Sequence, residues 1–143
     1  MSYATVEDFI SYFGEQESLE LTNLENPLAA SVDTVVLQKA LDHAYSEINS
    51  YLAGNYVLPL TSTIPQILKY DEMEIARFRL DRFRTREDVT ERYQLVIQRL
   101  RDVAKGIINL GLDQNNIEVE TQALEPAYYS ALPVFTLETL RDW

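Results

Sequence analysis

Apolar residues recur at alternating four- and three-residue intervals in several separate stretches of this chain, and that spacing commits most of it to amphipathic α-helix. The longest instance is Val89, Tyr93, Val96, Leu100, Val103, Ile107 and Leu110, opened by Thr85-Arg86-Glu87-Asp88 and closed by Gly111. It predicts a last helix of about 25 residues, roughly 37 Å long and the spine of the domain. A second stripe, Leu37, Leu41, Ala44, Ile48 and Tyr51, starts from Asp33 as N-cap and reaches about Ala53, with Gly54 at C′. A third helix begins near Pro65, a residue suited to the first helical turn, and runs to about Phe83. Its expected buried face is Leu68, Met73, Ala76, Leu80 and Phe83. A short helix carries Val6, Phe9, Ile10 and Phe13 behind the capping Thr5, with Asp8 three residues on, and stops at Gly14.

The connecting stretches lack that period. Residues 15–32 include Asn26-Pro27 and read as a surface connection docked through Leu19, Leu21, Leu24 and Leu28. The segment Asn55–Leu60 leaves helical geometry because Leu58, preceding Pro59, is pushed toward extended backbone. Beyond Gly111, Asp113-Gln114-Asn115-Asn116 forms a polar loop, and Ile117-Glu118-Val119-Glu120 alternates as a short edge strand would. The expected fold is therefore mainly all-α: a small bundle of about four helices with a long C-terminal helix, one short edge strand and an extended tail. Residues 1–111 make the helical domain and residues 112–143 an extended C-terminal arm. The arm ends in Tyr128, Tyr129, Leu132, Val134, Phe135, Leu137, Leu140 and Trp143, too apolar to stay in water and too short for a core of its own. These eight are the candidate partner-interface residues. Docking on a neighbouring molecule and docking on the chain's own helices both satisfy them.

Composition narrows the function classes. A chain of 143 residues fits one domain, able to bury about two thirds of its unfolded surface. With no cysteine there are no disulfides, thiolate metal sites or cysteine nucleophiles. No apolar run approaches the ~20 residues that span a bilayer, and Met1–Asp8 lacks the basic start of a secretory signal, so a soluble protein made in the cytoplasm is expected. The net charge of −11 is unevenly spread: residues 1–68 hold nine acids and one base, residues 69–111 eight and ten, and residues 112–143 six and one. Tight DNA binding needs Lys and Arg to release phosphate counterions, and such a footprint is missing from a chain this acidic.

Catalytic chemistry is hard to place. His43, the single histidine, sits mid-helix without a Ser or Cys partner readable from spacing. Asp113, Asn115 and Glu118 resemble part of a calcium loop, but the sixth position is not Gly and the twelfth is Leu124. Gly14, Gly54, Gly106 and Gly111 are isolated and cradle no phosphate. Asp71, Glu72 and Glu74 could supply an acid and a base, yet the arginines beside them should hold them ionised. Pairs such as Glu74 with Arg77 and Arg77 with Asp81 read as surface scaffolding. No catalytic residue, cofactor or metal is expected, and the chain reads as a non-enzyme.

The order of segments carries a resemblance. Tyr3-Ala4-Thr5-Val6-Glu7-Asp8-Phe9-Ile10 with Phe13-Gly14 and Leu21-Thr22-Asn23 comes first. Ala40-Leu41-Asp42-His43-Ala44, Ile48-Asn49-Ser50-Tyr51-Leu52 and Tyr56-Val57-Leu58-Pro59-Leu60 follow, then Ile75-Ala76-Arg77-Phe78-Arg79-Leu80, Glu91-Arg92-Tyr93, Leu100 and Ala104-Lys105-Gly106. Together these resemble the Mu-like phage and prophage neck protein family over about residues 3–111. Phe78 stands where family members often have Tyr, and the tail matches loosely at Val134-Phe135-Thr136. The resemblance implies a helical head-completion adaptor or head-tail connector, a virion protein of a tailed bacteriophage associated with DNA packaging. It implies a ring of twelve copies beneath the portal, with the portal, tail and other neck proteins as partners. Such a protein is made in the bacterial cytoplasm and carried in the virion neck. Two rival classes stand beside it: a cytoplasmic helical adaptor or regulator of a host protein, and a small acid-base enzyme, which would need carboxylates of perturbed pKa gathered in a cleft.

Overall fold

The computed structural model describes residues 2–61, 63–81, 83 and 85–112. Five α-helices and no strand occur among them: α1 (Val6–Phe13), α2 (Glu15–Thr22), α3 (Thr34–Leu52), α4 (Gln66–Leu80) and α5 (Glu87–Ala104). The mainly helical fold class is as expected, with one helix more than the periodicity announced. The expected edge strand at 117–120, the polar loop before it and the aromatic arm lie outside the described residues.

Local chemistry sets the helix starts. Thr5 and Asp8 form a reciprocal capping box: Thr5 Oγ1 accepts the Asp8 N–H at 3.1 Å and Asp8 Oδ2 accepts the Thr5 N–H at 3.0 Å. Asp33 Oδ1 accepts the N–H groups of Val35 and Val36, two of the donors left open at the start of α3. Gly14, at φ 94°, ends α1 and serves as N-cap of α2, so the chain turns between the two helices without a linker.

Helix α2 corrects the expected loop over 15–32. Its buried face is Ser18, Leu21 and Thr22, two of the three being hydroxyl residues. The Ser18 hydroxyl donates to the Gly14 carbonyl at 2.7 Å, and the Thr22 hydroxyl to the Ser18 carbonyl at 2.8 Å while accepting the Asp33 N–H at 3.1 Å. Hydroxyls satisfied within their own helix can be buried cheaply, and a hydrophobic period does not register them. Of the four leucines expected to anchor this stretch, Leu21 is buried and Leu19 and Leu24 are half-buried, whereas Leu28 is 93% exposed.

Helix α5 is also shorter than expected, at 18 residues against 19 for α3, so it is not the longest. It stops at Gly106, φ 76°, in a Schellman arrangement: the Gly106 N–H donates to the Val103 carbonyl at 3.0 Å and the Ile107 N–H to the Asp102 carbonyl at 2.9 Å. Ile107 is consequently exposed rather than on the core stripe. The Asn55 side chain donates to the carbonyls of Val103 and Ala104 at 2.7 and 2.9 Å, satisfying further acceptors at that helix end. The Tyr56 hydroxyl accepts the Leu110 N–H at 3.1 Å, so the α3–α4 crossover, with its cis Leu58-Pro59 bond, is tied to the segment after α5. Helix α4 ends at Leu80, which leaves Phe83 outside the helix and 71% exposed, not buried.

The core joins Phe9 of α1, Leu37, Leu41, Ala44, Ile48 and Leu52 of α3, Leu68, Met73, Ile75, Ala76 and Leu80 of α4, and Val96, Leu100 and Val103 of α5. Each fully buried Leu, Ile or Phe contributes roughly 1.5–3 kcal/mol relative to exposure. Helices α3 and α5 pack on α4, and α2 reaches α4 beside α1 and α3. Every other helix therefore touches α4 by packing or, for α1, through side chains.

Candidate assembly surface

Helix α4 carries a polar residue toward each of its neighbours. Lys69 meets Asp8 of α1 at 3.3 Å. Asp71 is gripped by the Arg99 guanidinium of α5 through both carboxylate oxygens. Glu74 lies 3.8 Å from Arg92 of α5 and accepts the Tyr12 hydroxyl of α1 at 3.5 Å. Arg77 pairs with Glu17 of α2, which also accepts from Arg86 at the start of α5, and its guanidinium lies 4.8 Å from the Phe13 ring centre. Arg79 donates to Glu47 of α3 at 2.9 Å, and the same carboxylate accepts the Tyr93 hydroxyl at 2.8 Å, with the Tyr93 ring stacked 4.0 Å from Phe78. The charges of α4 thus bridge helices, which corrects the expectation of surface pairs along one helix. Asp71, Glu72 and Arg77 are buried.

The sequence also misjudged how these carboxylates ionise. Burial raises Asp71 above the usual carboxylate range against the opposing pull of Arg99, and burial raises Glu74 against Arg92 and Arg77. Glu72 moves furthest, to about 8, because burial outweighs two backbone N–H bonds that favour its charge. Those bonds come from Tyr3 and Ala4, so Glu72 fastens the segment before α1 to the middle of α4. The Tyr3 ring beside it lies 4.8 Å from Tyr45, and its hydroxyl donates to Asn49. A side chain with 0% exposure is an anchor out of a substrate's reach, perturbed pKa notwithstanding.

The exposed groups with the chemistry of a contact surface lie on the remaining side of α4. Helix α1 reaches α4 at Lys69, Tyr70 and Glu74, α5 reaches it at Asp71 and Glu74, and a strip of α4 beside these contacts is open to solvent. Ile67 and Tyr70 occupy that strip at 37% and 39% exposure, Tyr12 borders it at 47%, and Leu95, between Arg92 and Arg99 on α5, stands 64% exposed. The Tyr12 and Tyr70 rings are 5.4 Å apart, over a groove of about 240 Å³ completed by Asp8, Ser11, Gln66, Lys69 and Met73. Amphipathic tyrosine rings beside exposed apolar side chains on an ion-paired platform have the chemistry of a contact surface. Sequence reading missed these four. Their signal was available as apolar residues standing off the helix stripes, Leu95 above all, although such residues are common singly on any surface.

His43 is exposed on α3 in a shallow cleft with Lys39, Val36 and Arg79, and no group of three metal-ligating side chains occurs among the described residues. The interface candidates Tyr128, Tyr129, Leu132, Val134, Phe135, Leu137, Leu140 and Trp143, and the loop with Asp113, Asn115 and Glu118, lie outside the described residues. No helix among the described residues is long and apolar enough to cross a membrane.

Comparison with known proteins bears on all five helices. The family described as Bacteriophage Mu, Gp36 matches residues 3–126. The Mu-like prophage FluMu protein gp36 of Haemophilus influenzae is 40% identical over 96 residues, 67% of each chain. Gene product J of Escherichia phage Mu is 30% identical over 113 residues, 79% of each chain.

Proposed function

The chain belongs to the bacteriophage Mu Gp36 family, and from that membership we propose that it is a virion structural protein, a head-tail connector that forms a ring between portal and tail. The observation that carries the assembly role is the open strip of Tyr12, Ile67, Tyr70 and Leu95 over α4. These side chains are held in place by helices cross-linked through Asp71–Arg99, Glu74–Arg92 and Asp8–Lys69, so little ordering is needed when a partner covers them. In this reading the chain does no chemistry. Its buried carboxylates fix the relative positions of α1, α4 and α5, and its product is a surface. The aromatic arm at 127–143 supplies a second contact, to a neighbouring subunit or ring.

Electron microscopy and light scattering of the purified chain, alone and with assembled portal, test the proposal. Rings that form on the portal are expected. A chain that stays monomeric in both and leaves the portal unoccupied rejects the connector role and favours a helical adaptor for a host protein.

A further inference from the structure

The first 38 residues contain seven acids and no lysine or arginine. Asp8 pairs with Lys69, Glu17 with Arg77 and Arg86, and Asp33 caps α3. Glu7 on α1 and Glu15 and Glu20 on α2 are exposed, and Glu20 accepts a neutral amide hydrogen from Gln16 at 2.9 Å. The α1–α2 hairpin therefore presents a negative edge.

The C-terminal half of α5 has the opposite character. Residues 92–105, the second half of α5 with its cap, hold Arg92, Arg99, Arg101 and Lys105 against the single acid Asp102. Arg92 and Arg99 turn toward the carboxylates of α4, while Arg101 and Lys105 are exposed. The remaining acids of α5, Glu87, Asp88 and Glu91, lie in its first turns.

We propose that neighbouring copies of this chain meet edge to edge, with the acidic α1–α2 edge of one against the basic C-terminal half of α5 of the next. The inference rests on the ring reading above and names the two faces. A contact between two different faces of the same molecule is heterologous, the kind that closes into a ring when the rotation between copies allows. The charge layout also sets register. Glu87, Asp88 and Glu91 would repel the α1–α2 edge, so the neighbour is staggered toward Arg101 and Lys105, and wrong registers are disfavoured by like charge.

Charge-swapped full-length chains test this. One variant carries Glu15→Lys and Glu20→Lys, the other Arg101→Glu and Lys105→Glu. All four positions are exposed, so each variant is expected to keep its helical circular dichroism. Self-association, free or on the portal, is measured by sedimentation and light scattering. Each variant alone should associate at least about tenfold more weakly than wild type, and raising salt from about 0.05 to about 0.5 M should weaken the wild-type assembly. An equimolar mixture should recover assembly, because alternating the two variants restores opposite charges at every contact. Variants that assemble as wild type does, or a mixture that fails to recover, overturn the assignment of faces while leaving the connector role standing. Wild-type chains that form no assembly with or without portal remove the connector role and this inference together.

Discussion

Glu72 Oε2 accepts the Tyr3 backbone N–H at 2.6 Å, a bond across 69 positions of sequence made by a carboxyl with no solvent exposure. The second oxygen, Oε1, has no hydrogen-bond partner among the described residues, so the backbone hydrogen bonds that favour the charged form reach one oxygen only. That geometry makes the group a proton-linked fastener for the chain's first segment.

Burial raises the folded-state pKa of Glu72 from 4.5 to about 8, so between these values the folded protein keeps a proton that the unfolded chain releases. Its contribution to stability is full below the unfolded value and is lost as pH rises through the folded one. Glu72→Gln keeps an oxygen for the two N–H groups and has no such equilibrium. Chemical denaturation across this window should show wild type losing stability relative to the variant as pH rises, by up to about 1.4 kcal/mol per pH unit. Parallel curves for the two proteins would show that the carboxyl is ionised in the fold throughout.

Arg99→Ala leaves Asp71, whose side chain is 2% exposed, buried without its guanidinium. Removing one partner of such a pair should destabilise the fold by roughly 3 kcal/mol. Lys69→Ala breaks a pair whose side chains are 32% and 38% exposed, and should cost less than about 1 kcal/mol. Urea midpoints of the two variants give the comparison, and equal losses would contradict the burial difference.

Two glycines should respond oppositely to alanine. Gly106 holds φ 76° in the Schellman turn, where an L side chain is strained, so Gly106→Ala should destabilise by roughly 1–2 kcal/mol. Gly54 does not adopt a left-handed φ, and a Cβ there meets nothing within 4 Å. Gly54→Ala should be neutral or stabilise by up to about 1 kcal/mol through the unfolded state. Thermal melts of both variants check this, and a Gly106→Ala protein as stable as wild type would mean that the turn rearranges.

A chain ending before Ala127 should keep its melting temperature and lose binding to the portal or tail-side ring, as an assembly arm requires. An arm docked on its own helices would instead take several burials with it, each worth roughly 1.5–3 kcal/mol. A truncated protein that is markedly less stable and still assembles rejects the arm.

Helices α1, α3, α4 and α5 were legible because their signals are local: the capping pairs at Thr5 and Asp33 and the four-three stripe of Leu37, Leu41, Ala44 and Ile48 lie within a few turns of chain. Helix α2 was not, because Ser18 and Thr22 make its buried face and their hydroxyls look like loop chemistry until the i−4 carbonyls that receive them are in place. The end of α5 was misjudged for a related reason. The stripe continues through Ile107 and Leu110, and nothing in the periodicity says that Gly106 rather than Gly111 breaks the helix.

What the sequence determined by itself was helical class, the breaks between most helices and an acid-rich start, since each follows from spacing, side-chain size or charge along the chain. Only the tertiary structure decided that Asp71, Glu72 and Arg77 of α4 point into the fold. Whether Asp71 and Glu72 are surface acids or buried anchors depends on Arg99, Tyr3 and Ala4, residues far away in sequence. The same packing decided which apolar residues stayed outside. Ile67, Tyr70 and Leu95 became a surface because α1 and α5 flank α4 without closing over it, a matter of helix placement that no local spacing encodes.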